Sequence, residues 1–430
     1  MGKVEKDQKV WYSVKYTRKG AWINTKDLEL LKLLYTNRIL TLKQIKRYGR
    51  YILNSPESTI KSKLKRWLSN DIVSIDYLRT LGKPAVSCYK IGKNGFHILR
   101  NERVIEDGEL VEVNIKNIKQ PSHYFGIQDV VIDTLIEMKD KLSIISSTHP
   151  NYRTYLSDET KFNKEETIII PDWKIETSEG RILNIEFDTG SQNLNRIHEK
   201  VDNYMELAKA RPAENHFVLF VVADNRSEIY TTEYASTRET RVLNIKELII
   251  NKLAHRLENL HFYVCSAYRG SSIASNILKG VYPITRSHKE SELELAVLSV
   301  QLNDDIDYTM EPREASAYYS NDVSEELYAD SHFSVIDHVS NKKMDIIFKL
   351  AEEGSVDTLD KISYLETLIS SKRIKREVDK LNVLYLSTAA MQNDVIPRDF
   401  QNTSFSQTQV WHYKKIPTPK PTNEVVRVIE

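Results

Sequence analysis

The chain has 430 residues, 40% hydrophobic and 28% charged, enough for two or three domains that each bury a core. Its two cysteines, Cys88 and Cys265, exclude a disulfide framework and a cysteine-based zinc site; no run approaches the roughly 18 apolar residues of a membrane span, so a cytoplasmic protein is expected. The net charge of +1 hides an asymmetry: residues 1–100 hold 22 Lys and Arg against 7 Asp and Glu, an excess of +15, which leaves the other 330 residues at −14. A basic end without an apolar insertion face favours nucleic acid over a membrane surface.

Within the basic end, Thr25 is placed to cap a first helix carrying Leu28, Leu31, Leu34 and Tyr35 at helical spacing, which should stop near Asn37. Thr41 and Gln44 form a T-x-x-Q capping box for a short second helix, with Gly49 at its stop. A third helix should begin at Ser55-Pro56 and place Ile60, Leu64, Trp67 and Leu68 on one face. Its outer face then carries Lys61, Lys63, Lys65 and Arg66. Two alternating runs, DIVSIDYLRT and PAVSCYKIG, are joined through Leu81-Gly82-Lys83-Pro84 and followed by a short helix at NGFHILRNE. These are the parts of a winged helix over residues 1–100. Such a domain lays its third helix in the major groove of double-stranded DNA, or docks on protein, with the lysines a solvated face.

Past a charged connector near residues 101–121, HYFGIQDVVIDTLIEMKDKL is an amphipathic helix and LSIISSTH a strand. TIIIPDWKIE and RILNIEFDTG follow as strands separated by the turn TSEGR. A helix from about Leu194 to Ala210 turns Leu194, Ile197, Val201, Met205 and Ala208 toward a core, and the apolar HFVLFVVADN suits a central strand. The order α, β, β, β, α, β is that of a restriction-endonuclease-like mixed sheet, here residues 122–283, so the expected class is α/β (α+β).

Metal-assisted phosphodiester chemistry needs oxygen ligands at the ends of adjacent strands, and Mg²⁺ takes one or two carboxylates with waters and phosphate. Asp172 opens one strand, and Glu186 and Asp188 share a face of its neighbour by their period-2 spacing. These three are the candidate ligands for Mg²⁺ or Mn²⁺, with Lys200 on the next helix as the cation for developing charge. The bland alternative is a polar sheet edge. Tyr204 reads as packing more readily than as a nucleophile, and His123, Asp129 and Asp133 as an exposed helix face from which an extra acid could come.

The stretch PDW…NIEFDTGS…EKVDNY resembles the replication-relaxation family of plasmid and mobile-element proteins, which includes relatives of MobC-type relaxases similar to PD-(D/E)xK nucleases. That family pairs an N-terminal winged helix with a domain carrying P-D, E-x-D-x-G and K-x-x-x-Y. The resemblance maps these onto Pro171-Asp172, Glu186 to Gly190, and Lys200 with Tyr204. Asp188 departs from the nuclease pattern, standing where the lysine of E-x-K would be.

From Gln301 to Asp330, nine Asp and Glu stand against one Arg, an excess of eight negative charges that reads as a mobile acidic linker. Residues 331–415 show helical periodicity in KKMDIIFKLAEEG and in TLDKISYLETLISSKRIKREVDKLNVLYLS, so a small, mainly helical region is expected there, a place for an oligomer or partner contact. A proline-containing tail occupies 416–430. The sequence thus points to a plasmid- or phage-type DNA-processing protein: a relaxase-like endonuclease nicking DNA with a divalent metal in mobilisation or replication, with some contact to single-stranded DNA at the nick. The alternative is a catalytically silent nuclease-like fold serving as a DNA-binding regulator or replication accessory factor.

Overall fold

The computed structural model describes residues 9–13, 20–79, 84–105, 114–139, 144–148, 168–190, 193–224, 238–301, 308–321, 323–339, 341–397 and 399–408. The fold is mixed α/β and divides into two compact units, Met1–Lys279 and Gly280–Glu430. No helix among the described residues is long and apolar enough to cross a membrane.

A hairpin of β1 (Val10–Ser13) and β2 (Gly20–Ile23), not foreseen from the sequence, precedes α1 (Thr25–Asn37). Asn24, one residue before the expected cap, closes α1: its side chain accepts from Asp27 N–H at 3.0 Å, and the Asp27 carboxylate accepts from Asn24 N–H at 3.1 Å. After β3 (Ile39–Thr41), α2 (Leu42–Tyr51) starts on the Thr41–Gln44 capping box. Next come α3 (Glu57–Leu68), β4 (Val73–Leu78), β5 (Val86–Ile91) and α4 (Lys93–Asn101), with the sheet ordered β3-β5-β4. Leu30, Leu31, Leu34, Ile45, Ile60, Leu64, Trp67 and Phe96 form its core. This is the winged helix, although Leu81 to Lys83 at the wing tip lie outside the described residues.

The same unit continues with α5 (Pro121–Glu137), β6 (Ile144–Thr148), β7 (Trp173–Thr177), β8 (Arg181–Asp188), α6 (Leu194–Ala210), β9 (Asn215–Val222), α7 (Arg238–Asn251), β10 (Leu260–Ser266) and α8 (Ala267–Leu278). The sheet runs β10-β9-β8-β7-β6, antiparallel across β6-β7-β8 and parallel across β8-β9-β10. From His216 onward β9 is buried at every position, as its unbroken apolar run requires of a strand covered on both faces.

The second unit corrects the reading of the C-terminal third. It contains α9 (Arg286–Gln301), β11 (Tyr308–Pro312), β12 (Ser331–Asp337), β13 (Lys342–Ala351), α10 (Val356–Ser370), β14 (Lys380–Tyr385), α11 (Thr388–Asn393) and β15 (Thr403–Gln407). Its five strands form one sheet in the order β11-β12-β13-β14-β15, so the described residues of 331–415 are not mainly helical. Only α10 keeps the expected helical character; KKMDIIFKLA and KLNVLY are strands whose continuous apolar runs do not distinguish helix from buried strand.

The acidic stretch 301–330 is likewise not a linker over its described residues. Met310, Tyr318, Tyr319 and Ala329 are buried, Tyr319 stacks on Tyr328 at 4.1 Å, and the Tyr318 hydroxyl donates to Asp345 at 3.1 Å. The tyrosines between the acids supply the apolar area that orders the segment. Residues 302–307 and the tail 416–430 lie outside the described residues.

Candidate functional site

On α3, Ile60, Leu64 and Trp67 face the core, which leaves Lys61, Lys65 and Arg66 exposed. Lys63 is not equivalent to them. Its ammonium is bonded to the buried Asp27 of α1 and lies 5.8 Å from the centre of the Trp67 ring, so it holds α3 to α1. The neighbouring α2 adds Lys43, Lys46, Arg47 and Arg50 along an open groove of about 850 Å³ between α2 and the base of the wing at Val86.

The winged helix is fastened to the sheet domain through α5. Gln44 donates to Phe125 O at 3.0 Å and to Asp129 at 3.1 Å, and Gln128 donates to the carbonyls of Asn37 at 2.9 Å and Ile39 at 3.1 Å. Arg47 reaches Asp129 at 2.8 Å and Asp133 at 3.0 Å. Burial pushes the Asp133 carboxyl up to about 6, with the Arg47 guanidinium opposing the rise. Asp129 and Asp133 are therefore neither a bare helix face nor part of the carboxylate site; they dock the two domains.

His123, in the first turn of that same α5, does reach the site: its Nε2 lies 3.0 Å from Asp172 Oδ2. The same Asp172 oxygen accepts from Phe187 N–H at 2.8 Å, which fixes the carboxylate against β8. Glu186, fully buried on β8, accepts from the Tyr204 hydroxyl at 2.7 Å and is bonded by the Lys200 ammonium, which stands 3.8 Å from Asp172. Lys200 and Tyr204 lie four residues apart on α6, so one helix face delivers both to Glu186. Tyr204 is itself fully buried and packs edge-on against Phe262, so it positions Glu186 from the core.

Asp188 is brought to the same end of β8, but its oxygens are already bonded: Arg241 Nε on α7 donates to one at 2.7 Å, and Gly190 N–H to the other at 3.1 Å. Gly190 has a φ of 79°, in the left-handed region, which accounts for the glycine that closes the E-x-D-x-G run. Among the described residues no three His, Cys, Asp or Glu side chains are grouped to hold a metal ion. What converges is a pair, Asp172 and Glu186, with Lys200 between them.

The electrostatics of the pair are lopsided. Burial raises the Glu186 carboxyl to about 7, Lys200 opposing and the Asp172 charge adding to the rise. Asp172 goes the other way, because Lys200, His123 and the Phe187 N–H together outweigh its burial. Lys200 is held above its ordinary value by Glu186 and Asp172 despite burial. Burial also disfavours the His123 cation, but its bond to Asp172 prevails and raises it. The buried Glu186 and the partly buried Asp172 are hard-oxygen donors compensated by one ammonium, and a divalent cation takes one or two protein carboxylates of this kind. Sequence reasoning missed the contacts of His123, Arg241 and Arg47, because each is made across more than 45 residues to a partner that no local pattern marks.

No curated protein matches the chain. Among solved structures, Bacillus subtilis PadR in complex with operator DNA is similar at 16% identity over 26% of this chain and 68% of its own; its TM-score of 0.17 is too low to carry an argument. Residues 31–222 match the family model described as Replication-relaxation, a stretch that runs from the winged helix to the central strand and contains Pro171-Asp172, Glu186-x-Asp188-x-Gly190 and Lys200-x-x-x-Tyr204.

Proposed function

We propose that this protein selects a double-stranded DNA site with its winged helix and nicks one strand with Mg²⁺ or Mn²⁺ bound at Asp172 and Glu186, in the mobilisation or replication of a plasmid- or phage-type element. The family match supports DNA processing or DNA binding in general. The observation that carries the finer reading is the Asp172–Lys200–Glu186 cluster, which shares α5, through His123, with the dock of the basic domain. A bound divalent cation supplies charge neutralisation at phosphate and a more acidic water.

The chain's own residues do the rest. Phe187 N–H and His123 hold Asp172 in one orientation, and Tyr204 holds Glu186. Lys200, freed from full engagement with the carboxylates, offers its ammonium to negative charge developing on the scissile phosphate. Asp188, bonded by Arg241, fixes the end of β8. Exposed Lys61, Lys65 and Arg66 meet backbone phosphates in the major groove.

The test is incubation of the full chain with supercoiled plasmid carrying its own genetic neighbourhood, with and without Mg²⁺ or Mn²⁺. Open-circular product is expected only with the metal, and Asp172→Asn and Glu186→Gln should each abolish it while DNA binding persists. A second reading, a silent fold acting as a regulator or replication accessory factor, is favoured by two observations: Lys200 occupies the space between the two carboxylates, and Asp188 stands where a nuclease would place lysine. DNA binding without nicking and without a divalent-ion response would establish it.

A further inference from the structure

The two sheets of this chain share a topology. In each, a helix (α5 or α9) leads into three antiparallel strands, and a helix (α6 or α10) crosses to a parallel fourth strand. A further helix (α7 or α11) then crosses to a parallel fifth strand at the edge. The register corresponds across the three central strands, β7-β8-β9 and β12-β13-β14. Trp173 of β7 pairs with Ile185 of β8, and Ser331 of β12 with Phe348 of β13. Glu186 pairs with Phe220 of β9 and Lys349 with Val383 of β14, an offset of 34 residues in both sheets. The first crossover helix starts in each case just after a glycine at positive φ, Gly190 at 79° and Gly354 at 78°, on a side-chain cap from Asn193 or Ser355.

This alignment places Asp330 on Asp172, each immediately before the first paired residue of its strand. The two carboxylates make the same bond. Asp172 Oδ2 accepts from Phe187 N–H at 2.8 Å, and Asp330 Oδ2 accepts from Leu350 N–H, the aligned position, at 2.7 Å. The helix before the sheet also contributes alike, through His123 to Asp172 at 3.0 Å and Lys289 to Asp330 at 3.7 Å.

The difference lies at the next position. Where the first sheet has Glu186, the second has Lys349, buried to 3% exposure, with its ammonium 3.0 Å from Asp330 and 3.0 Å from Tyr328 O. Asp188 is replaced by Ala351. A carboxylate already engaged by two ammonium groups does not fit a divalent cation, since the position of the second carboxylate is taken by a lysine and like charge repels the ion.

We propose that the second unit is a silent copy of the nuclease-like fold, in which the Lys349 ammonium fills the place of the cation beside Asp330, so that each chain carries one cation-binding centre and cuts one strand. The single centre rests on the nicking reading of the first unit; the silence of the second does not.

The test is Mn²⁺ binding to the full chain, counted by the loss of free-ion electron paramagnetic resonance signal, on folded proteins verified by circular dichroism. Wild type and Asp330→Asn should each bind one Mn²⁺, Glu186→Gln none, and Lys349→Glu two, because it restores the carboxylate pair. If wild type binds none but Lys349→Glu binds one, the nicking reading fails and the silent copy stands. A folded Lys349→Glu protein with no added ion overturns the proposal. Where Lys349→Glu does not fold, Asp330→Asn decides: loss of the bound Mn²⁺ with fold retained overturns it, and retention supports it.

Discussion

Lys200→Met removes the one ammonium between the buried Glu186 carboxylate and the partly buried Asp172 carboxylate while keeping the length and apolar stem of the side chain. At 3.8 Å and an effective dielectric near 20, the Asp172–Lys200 attraction alone is about 4 kcal/mol, and the Glu186 contact is closer. Breaking a buried pair from one side typically costs about 3–5 kcal/mol; with Lys200 a quarter exposed, about 3 kcal/mol is expected at neutral pH. For a unit of this size that is a fall of roughly 6–12 °C in Tm. The loss should depend on pH. With the lysine gone the Glu186 carboxyl rises above the value of about 7 that it has beside Lys200. A carboxyl raised in the folded state costs stability as pH climbs above its unfolded value, so the variant should be closer to wild type at pH 5 than at pH 8. Mn²⁺ at about 100 times its Kd should return about 2.7 kcal/mol, because it replaces the missing positive charge. Thermal melts followed by circular dichroism at pH 5 and pH 8, with and without Mn²⁺, measure all three effects. A Lys200→Met protein as stable as wild type at pH 8 would refute the charge argument; a destabilised one that ignores Mn²⁺ would refute the cation site.

Three further outcomes follow from the geometry. Arg47→Ala leaves Asp129 and Asp133 without their guanidinium and should destabilise the first unit by about 2 kcal/mol, read by denaturant melts; an unchanged midpoint would mean that the dock on α5 contributes nothing. Replacing Lys61, Lys65 and Arg66 together by Ala should lower the slope of log affinity against log salt by up to about three counter-ions, whereas Lys63→Ala should leave the slope unchanged and lower stability through Asp27; the reverse pattern would place α3 the wrong way round. Burial lowers His216 and His332 to about 4, so both are neutral in the folded chain while the unfolded chain protonates them near 6.5. Their contribution is complete above pH 6.5 and lost as pH falls toward 4, at most about 3 kcal/mol each; His332→Phe should flatten this acid limb in a pH series of melts.

Elements whose determinants are local were legible in the sequence. The Thr41–Gln44 box, the Ile60–Leu64–Trp67 stripe, the paired strands around TSEGR and the Lys200/Tyr204 spacing each depend on residues a few positions apart, and each stands in the structure. What was hidden depends on distant partners. Lys63 shared a charge pattern with Lys61 and Lys65, and only the fold of α1 over α3 shows that Asp27 claims it. Asp188 shared the face of Glu186 by parity, but Arg241, 53 residues on, binds its carboxylate. The acidic stretch read as a linker because charge was counted while the burial of Tyr318 and Tyr319, which needs the whole second sheet, was not. The copy itself was invisible as a repeat: its identity lies in strand order and register, and the one residue that would have announced it, Glu186, is a lysine there.

The most direct measurement places wild type, Asp172→Asn and Asp330→Asn side by side on an end-labelled duplex of the protein's own target region, with Mn²⁺, and resolves the products on a denaturing gel. A single nick in one strand from wild type and Asp330→Asn, and none from Asp172→Asn, is the predicted result. Cleavage that survives Asp172→Asn, or that disappears with Asp330→Asn in a folded protein, would contradict a single divalent-cation centre at Asp172 and Glu186.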